Sequence, residues 1–453
     1  MTTIVERFKA LHPRSAALHK QAVHIFPHGV THDIRHFSPF PLYVDHALGA
    51  RKWDVDGNEI IDYVMGHGAL LLGHAHQELV RAVSRQIANG THYGACHELE
   101  MEWAGLIKQL IPSAEKVRFH SSGTEATMMA VRLARAYTGR SKLIRFALNF
   151  HGWNDSVAGY VLPEETVPHA PGIPSAFLGE QIVLPQNSVT TLASTIAEEK
   201  DIAAVIIEPT GASAGMVPID PDFLAFVRER TARYGVVLIF DEVITGFRVG
   251  PGGAQAHFGI MPDLTTLAKI VAGGLPGAAI AGRADILDCI AFRNNAEFDA
   301  HQRVAHQGTF NANPLSAAAG IAMLNAIADG APQAHAEAMA KRLCRGVNQI
   351  LRKAGVKGCA YTFSSMFHMT IGVDCPEPAD GWQWQWDGPA GASVPSTPPK
   401  VMAAFKQEML NRGGGDFMRT CGKMSAVHTE ADVDETLAAV EATLAAMKAD
   451  IQI

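Results

Sequence analysis

Three stretches of the chain carry residue types suited to binding or chemistry. Ser121-Ser-Gly-Thr-Glu-Ala126 follows a short β-branched run at Val117–Phe119 and opens the amphipathic pattern Ser122–Tyr137. Small hydroxyls and a glycine at a helix start leave free N–H groups at the positive end of the helix dipole, which suits a phosphate. The plain alternative is an ordinary helix cap. Asp241 directly follows the apolar run Val236–Phe240. A carboxylate at the end of a buried strand needs a cationic or hydrogen-bonding partner, either at a reactive centre or in a strand-end ion pair. Lys269 lies in Asp263-Leu-Thr-Thr-Leu-Ala-Lys-Ile-Val-Ala-Gly-Gly-Leu-Pro-Gly277. A lysine between apolar residues and a glycine-rich turn is either a snorkelling surface residue or a desolvated, nucleophilic amine.

The three together are more specific than any one. A phosphate cradle, a strand-end carboxylate and an amine 269 − 241 = 28 residues later suit pyridoxal 5'-phosphate. That cofactor needs a phosphate site, an amine for its aldehyde and a carboxylate facing its ring nitrogen.

The elements that must position these residues follow from the apolar periodicity. Ala126, Met129, Ala130, Leu133, Ala134 and Tyr137 share one helix face. Leu143–Ala147, Ala203–Ile207 and Val236–Phe240 are continuous apolar runs of strand length, and Asp222–Tyr234 reads as a helix. Strands apolar throughout and separated by helices predict an α/β fold with a mostly parallel sheet covered on both faces. Ligands bind such sheets at the carboxyl ends of the strands, where all three stretches fall. Residues 1–65 form an N-terminal segment that closes in a hairpin with its turn at Asp56-Gly57. Residues 66–325 form the large domain, and 326–453 a C-terminal part ending in a helix over Glu430–Met447. Together 1–65 and 326–453 make a smaller α+β domain. Between Cys375 and Lys400 lies a Pro/Gly-rich stretch with Trp382, Trp384 and Trp386, read as a long surface loop anchored on a partner or subunit surface.

Composition narrows the function classes. The 453 residues are 47% hydrophobic and carry a net charge of −7, which argues against a nucleic-acid binder. No apolar run approaches the roughly 18–20 residues of a membrane span. The first residues show no basic-then-apolar leader pattern. The six cysteines are scattered without Cys-x-x-Cys, which predicts neither a disulfide framework nor a zinc ribbon. A soluble protein of the reducing cytoplasm is expected. His74-x-His76 and His301 with His306 lack a third ligand at zinc spacing, so no catalytic metal is expected.

Here the chain resembles the class III (fold type I) pyridoxal-phosphate aminotransferases, from about Phe26 to Asn325. Phe240-Asp-Glu-Val-Ile-Thr-Gly-Phe-Arg248, Pro262-Asp-Leu-Thr-Thr-Leu-Ala-Lys269 and Gln307-Gly-Thr-Phe-Asn-Ala-Asn-Pro314 carry the resemblance. Within the class it is most similar to the branch of glutamate-1-semialdehyde aminomutase. It also resembles D-phenylglycine aminotransferase in Gly66-His-Gly-Ala-Leu-Leu-Leu-Gly-His74, His151-Gly-Trp-Asn-Asp155 and His306-Gln-Gly-Thr-Phe310. The resemblance implies a fold type I transferase with a bound pyridoxal phosphate. Lys269 would hold the cofactor aldehyde as a Schiff base and then shuttle a proton, with Asp241 pairing with the pyridinium nitrogen. Ser122, Gly123 and Thr124 would hold the phosphate, and Thr309 would reach the phosphate of a neighbouring subunit in a homodimer. Phe150 would stack on the ring, Val243 would pack on its other face, and Glu208 and His151 would complete the cofactor site.

For the substrate, Arg35 matches a substrate-binding arginine of the aminomutase. Arg419 lies near a carboxylate-binding arginine of several class III enzymes. His67 stands where the aminomutase carries Trp, and Thr420 or Cys421 where it carries a glutamate. These departures favour an aminotransferase with a ping-pong mechanism, passing nitrogen from an amino acid to a keto acid or aldehyde, and the resemblance to D-phenylglycine aminotransferase implies an aromatic amino acid. The aminomutase is the alternative.

Overall fold

The computed structural model describes residues 2–159, 170–215, 217–376, 378–383 and 395–451. These divide into two compact units. The first is drawn from Met1–His76, Pro332–Gln385 and Val394–Ile453, the second from Gln77–Ala331. The divisions fall at 76/77 and 331/332, against 65/66 and 325/326 from the sequence pattern.

The first unit opens with the helices Ile4–Leu11 and Pro13–Ala22. Strands β1 (Val44–Leu48), β2 (Arg51–Asp54) and β3 (Glu59–Ile61) then form an antiparallel sheet. The β2–β3 turn is built by Asp54, whose Oδ1 accepts the N–H groups of Asp56 and Asn58. His12, Asp54 and Asp56 cluster there as the one group with metal-like spacing among the described residues. Their polar atoms already serve the turn and the start of the second helix. Asp56 takes the N–H groups of Arg14 and Ser15, and His12 Nδ1 bonds Asp54 at 2.7 Å.

The second unit contains β4 (Lys116–His120), β5 (Lys142–Phe146), β6 (Gln181–Leu184), β7 (Ile202–Ile207), the two-residue β8 (Val217–Pro218), β9 (Val237–Asp241), β10 (Leu264–Ala268) and β11 (Ala278–Gly282). Its sheet runs β4-β11-β10-β9-β7-β5-β6. Neighbours from β10 to β6 are parallel, and β11 is antiparallel to both β10 and β4. All residues of β7, β9, β10 and β11 are buried, as continuous apolar runs demand of strands covered on both faces. One face packs on Met129, Ala130 and Leu133 of the helix Gly123–Thr138, and the other on Phe223, Leu224 and Val227 of the helix Pro221–Tyr234. Tyr137, expected on the buried helix face, is instead 40% exposed and bonds Asp285. It sits in the last turn, where its hydroxyl reaches a surface carboxylate.

The first unit is completed by the helix Ala331–Ala354, strands β12 (Gly358–Phe363), β13 (Met366–Ile371) and β14 (Cys421–Lys423) in a second antiparallel sheet, and the helices Pro399–Asn411 and Glu430–Ile451. Cys359 and Cys375 form a disulfide. The β12–β13 register sets Cys359 opposite Thr370, so the chain leaving β13 returns beside it, a proximity the cysteine spacing does not reveal. Of the tryptophan-rich stretch, Trp382 docks on its own unit. Its carbonyl accepts the Thr362 N–H, and Lys341 Nζ lies 4.1 Å from its ring centroid. Trp384 and Trp386 lie outside the described residues. No described helix is long and apolar enough to cross a membrane.

Candidate active site

Strands β9 and β10 run parallel with Thr266 in register with Asp241. Asp241, the last residue of β9, is 5% exposed. Its Oδ1 accepts from Thr266 Oγ1 and from the Val243 N–H, each at 3.1 Å. Its Oδ2 lies 2.7 Å from His151 Nδ1. A carboxylate only accepts, so Nδ1 carries a proton towards it. His151 Nε2 is buried and has no partner among the described residues.

Lys269 directly follows β10 and adopts φ +56°, a left-handed conformation that side-chain-bearing residues avoid. It is half-buried between Ala268 and Ile270, both buried.

The helix Gly123–Thr138 is capped by Ser122. Ser122 Oγ accepts the Glu125 N–H at 3.3 Å, while Glu125 Oε2 accepts the N–H groups of Ser121 and Ser122. The cap is therefore present, and the N–H groups of Gly123 and Thr124 have no acceptor among the described residues. A Cβ on Gly123 would lie 3.0 Å from both γ-carbons of Val243, so the chain after Asp241 packs against the helix start. The 150–152 segment lies on the same turn. A Cβ on Gly152, at φ +99°, would meet Thr124 Oγ1 at 2.6 Å, and Thr127 Oγ1 donates to the His151 carbonyl at 2.6 Å.

Glu208 stands just after β7. Its Oε1 accepts the N–H groups of Phe150 at 2.8 Å and Ser213 at 3.1 Å, and its own N–H donates to Asn149. It thus fixes the backbone that carries Phe150, whose ring is 62% exposed. Thr309 is exposed, and its carbonyl accepts from the His92 ring. The fold therefore gathers Ser122, Gly123, Thr124, Val243, His151 and Asp241, with Lys269 at the end of the neighbouring strand.

Two supporting residues escaped the sequence reading. Thr266 was visible only as a polar residue inside an apolar strand. Glu242 is wholly buried and takes Thr245 Oγ1, the Ala254 N–H and both donors of Gln255, tying the turn after Asp241 to the helix Gly253–Phe258.

Arg35, His67 and Arg419 belong to the first unit. Arg35 and His67 line one cavity of about 440 Å³, with Phe26, Phe37 and Phe417 among its walls. Arg35 Nη1 donates to Thr31 Oγ1 at 3.0 Å, and the His67 ring stacks on His32 with centroids 5.0 Å apart. Arg419 is exposed, at φ +59°, and is not among the cavity's lining residues, although Met418 is.

The model of the class-III aminotransferases matches residues 34–359. A glutamate-1-semialdehyde 2,1-aminomutase of Methanopyrus kandleri is 38% identical over 438 residues, covering 95% of this chain and 97% of its own. An omega-transaminase of Sphaerobacter thermophilus superposes with a TM-score of 0.83 at 32% identity, over 95% of this chain and 97% of that one. A glutamate-1-semialdehyde aminomutase of Pseudomonas aeruginosa PAO1 gives a TM-score of 0.86 at 25% identity, over 98% and 97%. With its sheet, strand-end residues and nearly full-length relatives agreeing, the chain belongs to the class-III aminotransferase family of fold type I, whose cofactor is pyridoxal 5'-phosphate.

Proposed function

We propose that this chain moves an amino group with pyridoxal 5'-phosphate held in the second unit, and that its reaction is that of glutamate-1-semialdehyde 2,1-aminomutase. The observation that supports the cofactor site is the pairing of a strained Lys269 at the end of β10 with a buried Asp241 at the end of the adjacent β9. The residues fit the cofactor's three demands. Asp241 keeps room on Oδ2 for one more donor, since among the described residues Oδ1 takes Thr266 and Val243 while Oδ2 takes His151 alone. The open N–H groups of Gly123 and Thr124 suit a phosphate. Lys269, at the end of β10, supplies the amine.

When bound, the cofactor supplies an aldehyde for an amine and a ring that accepts the electron pair left when a C–H bond loses its proton. The protein's part is binding and proton traffic. Asp241, steadied by Thr266 and His151, holds a proton on the ring nitrogen by charge pairing. Ser122, Gly123 and Thr124 bind the phosphate, with Thr309 doing so for a neighbouring subunit in a homodimer. Phe150 and Val243 would pack against the cofactor ring, and Glu208 holds the backbone that carries Phe150. The Lys269 amine would hold the cofactor through its aldehyde and is the group that would move protons beside it. Arg35 suits a substrate carboxylate through its planar fork, and Arg419 is a second candidate.

The names of the relatives support the aminomutase. A second reading, an aminotransferase between two substrates, is favoured by His67, which replaces the aminomutase's Trp in a cavity with aromatic walls. The two readings separate in one experiment. Enzyme charged with pyridoxamine phosphate is given glutamate-1-semialdehyde alone. Formation of 5-aminolevulinate over many turnovers supports the aminomutase. Turnover only when an amino donor and a keto-acid acceptor are both present rejects it for the aminotransferase. Lys269→Ala should lower either activity at least about 100-fold, and an equally active variant would remove Lys269 from the mechanism.

A further inference from the structure

A second cavity, of about 300 Å³, opens in the second unit beside β4. Its charged lining residues are Lys116, Arg118, Arg303 and Asp288. Lys116 and Asp288 form an ion pair with each other. Neither Arg118 nor Arg303 has a carboxylate within ion-pair distance among the described residues. Three cations less one carboxylate leave the cavity a net +2.

The two guanidiniums are held but not neutralised. Arg118 Nε donates to His306 Nδ1 at 2.8 Å and Nη2 to the His306 carbonyl at 3.4 Å. Arg303 Nη1 reaches the carbonyls of Ile290 at 3.3 Å and Val304 at 3.4 Å, and its guanidinium lies 3.9 Å from the Phe292 ring centroid. Its Nε is buried and has no partner. Burial, and then the charge of Arg303, push the Arg118 guanidinium below its ordinary value. Two like charges facing one hollow, with donors unused, are poised for an acceptor that carries both charge and several oxygens.

We infer that this cavity binds a small doubly charged oxyanion, a phosphate monoester or a dicarboxylate, gripped between Arg118 and Arg303. The apolar side of the cavity, with Leu287, Ile290 and Phe292, takes the carbon portion of such a ligand. The chemistry is distinct from the cradle at Gly123 and Thr124, which uses backbone N–H groups and no arginine. Arg118 also bonds His306, three residues before Thr309, so the ligand's grip is tied to the segment proposed to reach a neighbouring cofactor.

The test is calorimetric titration of the holoenzyme, loaded with pyridoxal phosphate and then freed of excess by gel filtration, so that the cofactor's own phosphate site is filled and no free phosphate ester competes. The probes are inorganic phosphate and malonate, each at ionic strength held constant with potassium chloride. One saturable event per chain is expected, and Arg118→Gln and Arg303→Gln should each raise Kd at least tenfold. Tighter phosphate than malonate assigns a phosphate ester, and the reverse a dicarboxylate. No saturable event, or equal affinity in both variants, overturns the site. Loss of the wild-type oligomeric state in Arg118→Gln, read by light scattering with no probe binding to wild type, also overturns it, because the arginines then pair with an acidic group of a second copy. If Arg303→Gln fails to fold, Arg118→Gln on the exposed edge strand carries the test alone.

Discussion

Replacing Lys52 by methionine should destabilise the first unit by about 3–5 kcal/mol at pH 7. Lys52 is almost fully buried and joins three segments of that unit. Its Nζ lies 2.5 Å from Asp416 Oδ2 and 3.2 Å from Asp62 Oδ1. Asp62 also takes His74 Nε2 at 2.7 Å, and Lys406 stands 3.5 Å from Asp416. Burial opposes the charge on Lys52, but Asp416 and Asp62 override it and hold the ammonium above its usual range. Burial likewise opposes the charge on Asp62, and Lys52 with His74 overrides it and holds the carboxyl well below the usual range. Methionine fills the same space but takes the shared ammonium from two carboxylates, leaving Asp62 with His74 and Asp416 with the more distant Lys406, which is why the cost approaches that of a broken buried pair and not of a lost surface ion pair. A loss of that size lowers the thermal midpoint of a unit this long by about 6–20 °C.

The pH dependence tests the cause. In the wild type the Asp62 contribution is complete above about pH 4 and is lost as pH falls through its depressed folded value. The Lys52 contribution is complete below about pH 10 and is lost as pH rises through its raised folded value. In Lys52→Met Asp62 and Asp416 take up a proton more readily, so the variant recovers stability relative to wild type as pH falls from 7 towards 4.5. Urea unfolding at pH 7, 6, 5 and 4.5 measures the gap. A gap absent at pH 7, or unchanged down to pH 4.5, would refute the reasoning. Lys52, Lys406 and Asp416 line the same cavity as Arg35 and His67, so KM should rise in the variant even where it remains folded.

Gly152→Ala should weaken cofactor retention about tenfold or more while far-ultraviolet circular dichroism stays unchanged, because a Cβ at φ +99° would strike Thr124 Oγ1 and lift the 150–152 segment from the helix start. Undiminished retention on gel filtration would show that the segment yields without cost. Thr266→Val keeps shape but removes a donor to Asp241, a loss of about 1.5–3 kcal/mol for a bond to a charged group. Equilibrium dialysis should show cofactor Kd raised about tenfold or more, and wild-type affinity would mean that Thr266 does not steady the carboxylate. His428 is buried, and burial pulls its imidazole down to about 4. The unfolded chain therefore binds a proton that the folded chain refuses below about pH 6.5, so stability falls from there towards pH 4, by about 3 kcal/mol from this residue alone. His428→Gln should flatten that part of the unfolding profile, and a profile identical to wild type would assign the acid loss elsewhere.

How much of this was legible in the sequence depends on how local each cause is. The strands at 202–207 and 237–241 were readable because a strand covered on both faces is apolar along its buried length, and the chain itself displays that, whereas 264–268, with Thr265 and Thr266 inside it, was not named as a strand. Asp241 and Lys269 stood out for the same reason, as charged residues ending apolar runs. The partners of Asp241 were not legible in this way. His151 lies 90 positions away and Thr266 25 positions away, and both become neighbours only when sheet order and register are set by contacts between distant strands. Arginines are the extreme case. Arg35, Arg118, Arg303 and Arg419 look alike in the chain, since a surface arginine leaves no periodic trace. What separates them is the acceptor each one has or lacks, and that depends on the packing around every neighbour. Arg35 shares a cavity with His67, Arg419 stands exposed, and Arg118 and Arg303 face one hollow without a carboxylate in ion-pair distance of either among the described residues. Charge left over after packing is thus where function is most legible in the fold and least legible in the sequence, because packing otherwise selects against it.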